Sequence, residues 1–404
     1  MRRRASVSLG DRVRLRNFVR KLASGEPVEI GFLGGSISDS GGPNKGVSGD
    51  YVSDLSSYFR RVTSNVTIHQ GGIPGILNLH FASCLELHIG PKADIIFIEL
   101  AINDVMHQYK EGHGYHERLI RKALGYARRP ATVELAFHTF QPEHLRRLRY
   151  LQTNADICGS VAEYYAQPML AYRALLFDEV ARGEMDPAAF MSRDLMHPDP
   201  VGHAYMVDAV VEMVRAEARA LGSDEPWGPS DEAALERELA PPMFKNNDKI
   251  STGVVLLGED MRRLVVENST AGFDLRTVSP AFPHPATALH GQGQGSRLAL
   301  DMRLDEVAAA APIPFKAGWA FFGYLRDQSG QSRANVSCTN CYCPLYNLYP
   351  TQPGRFRQLF TSICMRSDPA GPLRVNLTLE DPTPEINDRL DILGICIAGS
   401  PIWP

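Results

Sequence analysis

No stretch of this 404-residue chain approaches the ~18 unbroken apolar residues that a membrane-spanning helix needs, so no transmembrane segment is expected. Met1 to Gly10 lack an apolar h-region, so no signal peptide is expected there. Basic runs are equally scarce. Beyond MRRR at the start there is none, and a formal net charge of -4 gives no electrostatic footprint for nucleic acid. Internal repeats are absent, and EVAAAA is too short to count as low complexity. The cluster CTNCYC, Cys338 to Cys343, has no second Cys-x-x-Cys or His pair to close a tetrahedral zinc site. What remains is an ordinary globular composition, 44% hydrophobic and 22% charged, on a chain long enough for two domains with a core each.

Five of the seven cysteines, Cys338, Cys341, Cys343, Cys364 and Cys396, crowd the C-terminal region. Such density suits a disulfide-stapled domain in an oxidising compartment. Asn-x-Ser/Thr triplets at Asn65, Asn268, Asn335 and Asn376 point the same way. The expectation is a secreted or lumenal, glycosylated and disulfide-bonded protein, with a cytoplasmic location as the alternative. Five cysteines leave an odd one, and spacing does not give the connectivity.

Periodicity divides the chain. Leu15, Phe18, Val19 and Leu22 recur at helical spacing and predict a helix over 11–24, closed by Gly25 and Pro27. A strand over Val28–Leu33, a helix through Tyr51, Leu55, Phe59 and Val62, and a strand over Val66–His69 follow. DIIFIEL, Asp94 to Leu100, is the continuous apolar run of a parallel strand buried on both faces, which places it at a sheet's centre. A helix through Leu119 and Leu124, a strand over Thr132–Phe137 and a helix through Tyr205, Val210 and Val214 complete a β-α-β alternation. The fold class expected for 1–221 is therefore α/β, a doubly wound, mostly parallel sheet whose strand-end loops gather on one edge. Residues 222–248, rich in Pro, Gly and charge, read as a linker. Residues 249–404 turn strand-like; Leu373, Val375, Leu377 and Leu379 alternate with polar neighbours, so a mainly-β sandwich is expected, with Asn376 facing outward.

Four short blocks fall on the active edge of the first domain. GFLGGSIS runs a strand into Gly-Gly-Ser, a tight turn able to deliver the Ser36 hydroxyl to that edge. Alone, it reads as an ordinary strand-to-loop turn. SRDLMHPDP holds Asp194 and His197 three residues apart on one loop, with prolines that delay helix formation. A serine needs an imidazole to take its proton, and the imidazole needs a carboxylate to fix its tautomer. GGIPGI and ELAIND follow the second and third strands; the Gly75 N–H and the Asn103 amide are candidate donors to an oxyanion, beside Ser36 N–H, each such donor contributing roughly 3 kcal/mol.

Ser, Gly, Asn and His in this order, each after the appropriate strand, resemble the SGNH hydrolase superfamily, also called GDSL-type esterases. The resemblance covers roughly residues 11 to 220 and implies a flavodoxin-like three-layer domain. It further implies Ser36 as nucleophile, Asp194 and His197 as the rest of the triad, and Ser36, Gly75 and Asn103 as the oxyanion hole. Gly35 stands where the short motif usually has Asp, and Ala101 where it often has Gly. The Gly-Gly-Ser form is similar to a branch that includes carbohydrate esterases. The implied activity is hydrolysis of small O-acyl esters, above all acetyl groups of a glycan, with the β domain helping to bind substrate. The alternatives are an O-acetyltransferase on the same triad and a non-catalytic glycan-binding or cell-surface protein. A lipase is disfavoured because no long apolar lid segment lies near the site.

The chemistry needs no cofactor and no metal, and none is expected; the partner is a small-molecule or glycan ester. His138, at the end of the fourth strand, is a candidate for lining the pocket. His107, His113 and His116 fall in a segment read as a solvated loop, with substrate contact as the alternative, while His88 and His203 read as partly buried helix residues. Asp104 is expected to brace the Asn103 loop through backbone hydrogen bonds. Trp319 reads as a core aromatic of the sandwich, with sugar stacking as the alternative.

Overall fold

Five consecutive buried residues, Ile95–Glu99, form the strand that the DIIFIEL run predicts. In a computed structural model of the chain, residues 2–39, 49–73, 76, 78–105, 112–142, 150, 153–244, 247, 253–278, 286–302, 317–324, 334–340, 347–348, 358–365, 374–380 and 389–399 are described. The chain divides into two compact units, residues 1–250 and 251–404, so the 222–248 segment falls within the first.

The strands of the first unit are β1 (Ser6–Ser8), β2 (Val28–Gly34), β3 (Val66–Gly72), β4 (Ile95–Glu99), β5 (Ala131–Ala136) and β6 (Met169–Ala171). Its helices are α1 (Val13–Ser24), α2 (Tyr51–Val62), α3 (Asn78–Cys84), α4 (Ala101–Val105), α5 (Gly112–Leu124), α6 (Asn154–Tyr164), α7 (Tyr172–Ala181), α8 (Pro200–Gly222) and α9 (Pro229–Leu235). The sheet order is β1-β6-β5-β4-β2-β3, parallel except for the antiparallel edge strand β1. As expected, β4 lies in the middle. Side-chain alternation then splits the core into two layers. Ile30, Phe32, Phe97, Val133 and Leu135 join Phe18, Phe59 and Val210 of α1, α2 and α8 in one apolar cluster. In the opposite phase, Glu134 and Ala136 face the side on which Ala136 packs with Ala155 and Cys158 of α6. Three layers follow, as the α/β reading requires.

The 222–244 segment is bound to this unit by specific contacts. Asp231 of α9 receives Arg16 Nε at 3.0 Å, and Glu117 of α5 accepts the Phe244 N–H at 3.0 Å. Pro and charge alone do not reveal such anchors, because each depends on a distant partner.

The second unit is entirely β in its regular strands among the described residues: β7 (Gly253–Leu257), β8 (Phe273–Val278), β9 (Ala286–Gln292), β10 (Arg297–Asp301), β11 (Ala317–Tyr324), β12 (Ala334–Thr339), β13 (Asn347–Leu348), β14 (Gln358–Met365), β15 (Arg374–Leu379) and β16 (Arg389–Gly399). They form two antiparallel sheets, β10-β15-β12-β13 and β14-β11-β16-β9-β8, with β7 added on β16. Leu298, Val336 and Leu377 of one sheet share a core with Phe322, Leu390 and Ile395 of the other, the hallmark of a sandwich. On β15, Val375, Leu377 and Leu379 are buried and Asn376 is half-buried on the other phase, as the alternation predicts. The Trp319 side chain lies outside the described residues.

Candidate active site

The nucleophile turn is set by glycines and a hydrogen-bonded knot. β2 ends at Gly34, and the N–H groups of Ser38 and Asp39 both return to Gly35 O, at 3.2 and 3.1 Å. Residues 35–39 thus make one helical turn with Ser36 at its start, where backbone N–H groups have no partner within the turn. The turn is pinned from several sides. Ile73 N–H donates to Gly34 O at 2.9 Å, and the Gln70 amide donates to Ser38 O at 2.7 Å.

The His197 loop is a second constrained piece. Met191 and Pro198 form an antiparallel bridge, Ser192 N–H donates to His197 O at 2.8 Å, and Leu195 N–H donates to Ser192 O at 2.8 Å. Leu195 adopts φ 52°, a left-handed conformation that costs a side-chain-bearing residue roughly 1–2 kcal/mol. The segment after β5 offsets that cost. Phe140 N–H and Thr139 Oγ1 both donate to Leu195 O, at 2.8 and 3.2 Å, and Gln141 Nε2 donates to Asp194 O at 3.0 Å. Just beyond, Asp199 caps α8 by accepting the Gly202 N–H at 2.9 Å, and Pro200 occupies the first turn. His197 is therefore held immediately before a rigid helix.

These two pieces meet. Ser36 Oγ lies 2.7 Å from His197 Nε2, and His197 Nδ1 lies 2.6 Å from Asp194 Oδ2. Asp194 Oδ1 also accepts the Met196 and His197 N–H groups, each at 3.0 Å. Partial burial alone would raise the Asp194 carboxyl; the hydrogen bonds from His197 and Met196 and the nearby imidazole outweigh it and hold the group below its ordinary value. The carboxylate therefore stays ionised while it orients the ring.

Beside Gly35 of the nucleophile turn, Asn103 on α4 donates an Nδ2 hydrogen to Ile76 O at 2.9 Å. A primary amide has a second N–H to give. Beneath the turn lies Glu99, the last residue of β4 and 1% exposed. Glu99 Oε2 receives Gly35 N–H at 3.2 Å and Ser38 Oγ–H at 3.0 Å, while Ser38 Oγ also lies 2.6 Å from Tyr51 Oη. Burial pushes the Glu99 carboxyl up to about 8 despite those hydrogen bonds. The sequence displays Glu99 at the end of an apolar run, yet its role depends on residues 35 and 38 folding over it. A lone acid closing a buried strand was the available signal.

Of the predicted site residues, Ser36, Asp194 and His197 are brought together, and Asn103 lies beside the nucleophile turn. Gly75 and the Asp104 side chain lie outside the described residues, as does His107; so does the His113 side chain. His138 is 6% exposed and packs edge-on against Phe140 and Phe177, with ring centroids 5.2 and 5.9 Å apart. His203 and His88 are both 5% exposed, more deeply buried than expected. His203 Nδ1 accepts the Tyr51 N–H at 3.3 Å, and burial lowers its imidazole to about 4. His116 corrects the loop reading: it lies on α5 and is 1% exposed. Glycines at 112 and 114 obscured a helix whose apolar period starts only further on.

No protein-family model matches the chain, and no curated protein does. Among solved structures, a two-domain esterase (CEX) active on acetylated mannans aligns with 99% of this chain and 98% of its own at 15% identity and a TM-score of 0.61. The same esterase co-crystallised with mannopentaose aligns with 100% and 99% at 14% identity and a TM-score of 0.61. The Clostridium thermocellum family 3 carbohydrate esterase aligns with 47% of this chain and 98% of its own at 13% identity; its TM-score of 0.35 carries no argument. At these identities a likeness reaches the fold and no further: the chain shares the two-domain fold of that esterase, an α/β unit followed by a β unit.

Proposed function

We propose that this protein is a serine esterase that hydrolyses small O-acyl esters, with acetyl groups on a glycan as its substrate class. One observation carries the reading: the unbroken chain Ser36 Oγ, His197, Asp194, with contacts of 2.7 and 2.6 Å. His197 takes the Ser36 proton as Oγ attacks the ester carbonyl, and Asp194 holds the imidazole and stabilises its charged form. Ser36 N–H, the Asn103 amide and Gly75 N–H receive the developing oxyanion. His197 then gives its proton to the departing alcohol, leaving an acyl-Ser36. Water, deprotonated by His197, attacks that acyl group and restores the serine.

The acetyl-glycan part draws on the full-length likeness to an esterase active on acetylated mannans, at 15% identity. An oxidising compartment is proposed on Cys338, which is disulfide-bonded, beside Cys84, Cys158 and Cys396, which form no disulfide. The test is acid release from p-nitrophenyl acetate, butyrate and octanoate and from acetylated mannan, with a free glycan acceptor present. Serine-dependent turnover that falls with chain length, with acetate released from the mannan, supports the proposal. Acetyl found on the acceptor makes the protein a transferase; octanoate preferred over acetate overturns the short-acyl reading.

A further inference from the structure

His116, Glu134 and Cys158 converge away from the triad, on the opposite face of the sheet from the α1–α2–α8 core. They come from α5, β5 and α6, and their exposures are 1%, 3% and 1%. One donor atom from each lies within 4.8 Å of the other two. His116 Nδ1 is 3.1 Å from Asn78 Oδ1, an atom that only accepts, so Nδ1 carries a hydrogen. The other ring nitrogen then faces the carboxylate.

His116 Nε2 and Glu134 Oε1 are 3.1 Å apart, yet neither makes an aligned hydrogen bond. A neutral ring would set a nitrogen lone pair against a carboxylate lone pair, and a protonated ring would aim N–H at Oε1. The observed arrangement satisfies neither. A carboxylate this deeply buried requires a compensating positive charge. Imidazole nitrogen, thiolate sulfur and carboxylate oxygen together select zinc over magnesium or calcium, which prefer oxygen alone. Asn78 supplies the outer hydrogen bond that fixes the tautomer of a metal-ligating histidine.

We propose that His116, Glu134 and Cys158 form a structural zinc site, a departure from the sequence expectation of no metal. Zinc there neutralises one thiolate and one carboxylate. It also braces α3 through Asn78, two residues beyond the Ile76 carbonyl that accepts the Asn103 amide.

The full-length chain is incubated with zinc, freed of excess by gel filtration and assayed for metal by mass spectrometry. About one zinc per wild-type chain is expected, less than about a tenth of that in Cys158→Ala, and wild-type content in Cys84→Ala, which removes a different buried thiol. Cobalt loading of the wild type gives a thiolate-to-metal charge-transfer band, which reads the site even if Cys158→Ala does not fold. Wild-type protein without zinc, Cys158→Ala that keeps its zinc, or cobalt without the thiolate band each overturns the proposal and leaves a proton at the centre of the cluster.

Discussion

The Asn103 side chain fills the space that a side chain on residue 35 would need: a Cβ at Gly35 would stand 2.1 Å from Asn103 Nδ2. The Gly-Gly-Ser form therefore does more than permit a turn, because it leaves room for an amide beside the nucleophile. Gly35→Ala is expected to displace the amide and lower kcat about 10²–10³-fold, the effect of losing one oxyanion donor. The circular dichroism spectrum should not change. Asn103→Ala should match it, and the double variant should add little. Full activity in Gly35→Ala would remove Asn103 from the oxyanion hole.

Asp194→Asn tests the carboxylate. Its oxygen still reaches the Met196 and His197 N–H groups, so the loop is retained while the ring loses its anionic partner. Steady-state kinetics on p-nitrophenyl acetate should show kcat lower by about 10⁴-fold. A loss below tenfold would assign the carboxylate role elsewhere.

Glu99 predicts a pH-dependent stability. Its carboxyl titrates near 8 in the folded chain against an ordinary 4.5, so between those values the native state holds a proton that the unfolded state has released. Its contribution to stability is whole below about pH 4.5 and is lost progressively as pH rises to about 8. Glu99→Gln keeps an acceptor and removes the titration. The Tm of Glu99→Gln relative to wild type should climb from pH 5 to pH 8 and level off above. A flat difference would mean that Glu99 does not titrate there.

Asp94 is a structural counterpart. It accepts Lys21 Nζ at 2.7 Å, Arg128 Nη1 at 2.9 Å and Glu29 N–H at 2.9 Å, with its side chain 1% exposed. Asp94→Ala leaves those donors uncompensated and should cost about 3–5 kcal/mol in chemical denaturation. Activity of the fraction still folded should be near wild type.

Much of this was legible because the signals were local. Apolar runs give β2 and β4, and helical spacing gives α1 and α2 within a residue or two. Ser36 stands out because its block follows the strand β2, and His197 because it shares one short loop with Asp194. Strand β6 is only three residues long, too short for any period. The anchoring of 222–244, the bond from Gly35 to Glu99 and the burial of His116 arise only when segments far apart in the chain meet. The contrast is clear around α8: the prolines at 198 and 200 mark where the helix is held back, but the grip of Phe140 and Gln141 on the Asp194 loop has no sequence trace.

The central claim is that Ser36 is an activated nucleophile. The most direct measurement is intact-mass detection of covalent labelling by a fluorophosphonate, with p-nitrophenyl acetate turnover followed on the same samples, for wild type and Ser36→Ala. One adduct per wild-type chain, located to Ser36 and accompanied by loss of turnover, with neither adduct nor turnover in Ser36→Ala, is the predicted result. An unlabelled wild type, or the same turnover in both proteins, would contradict the account.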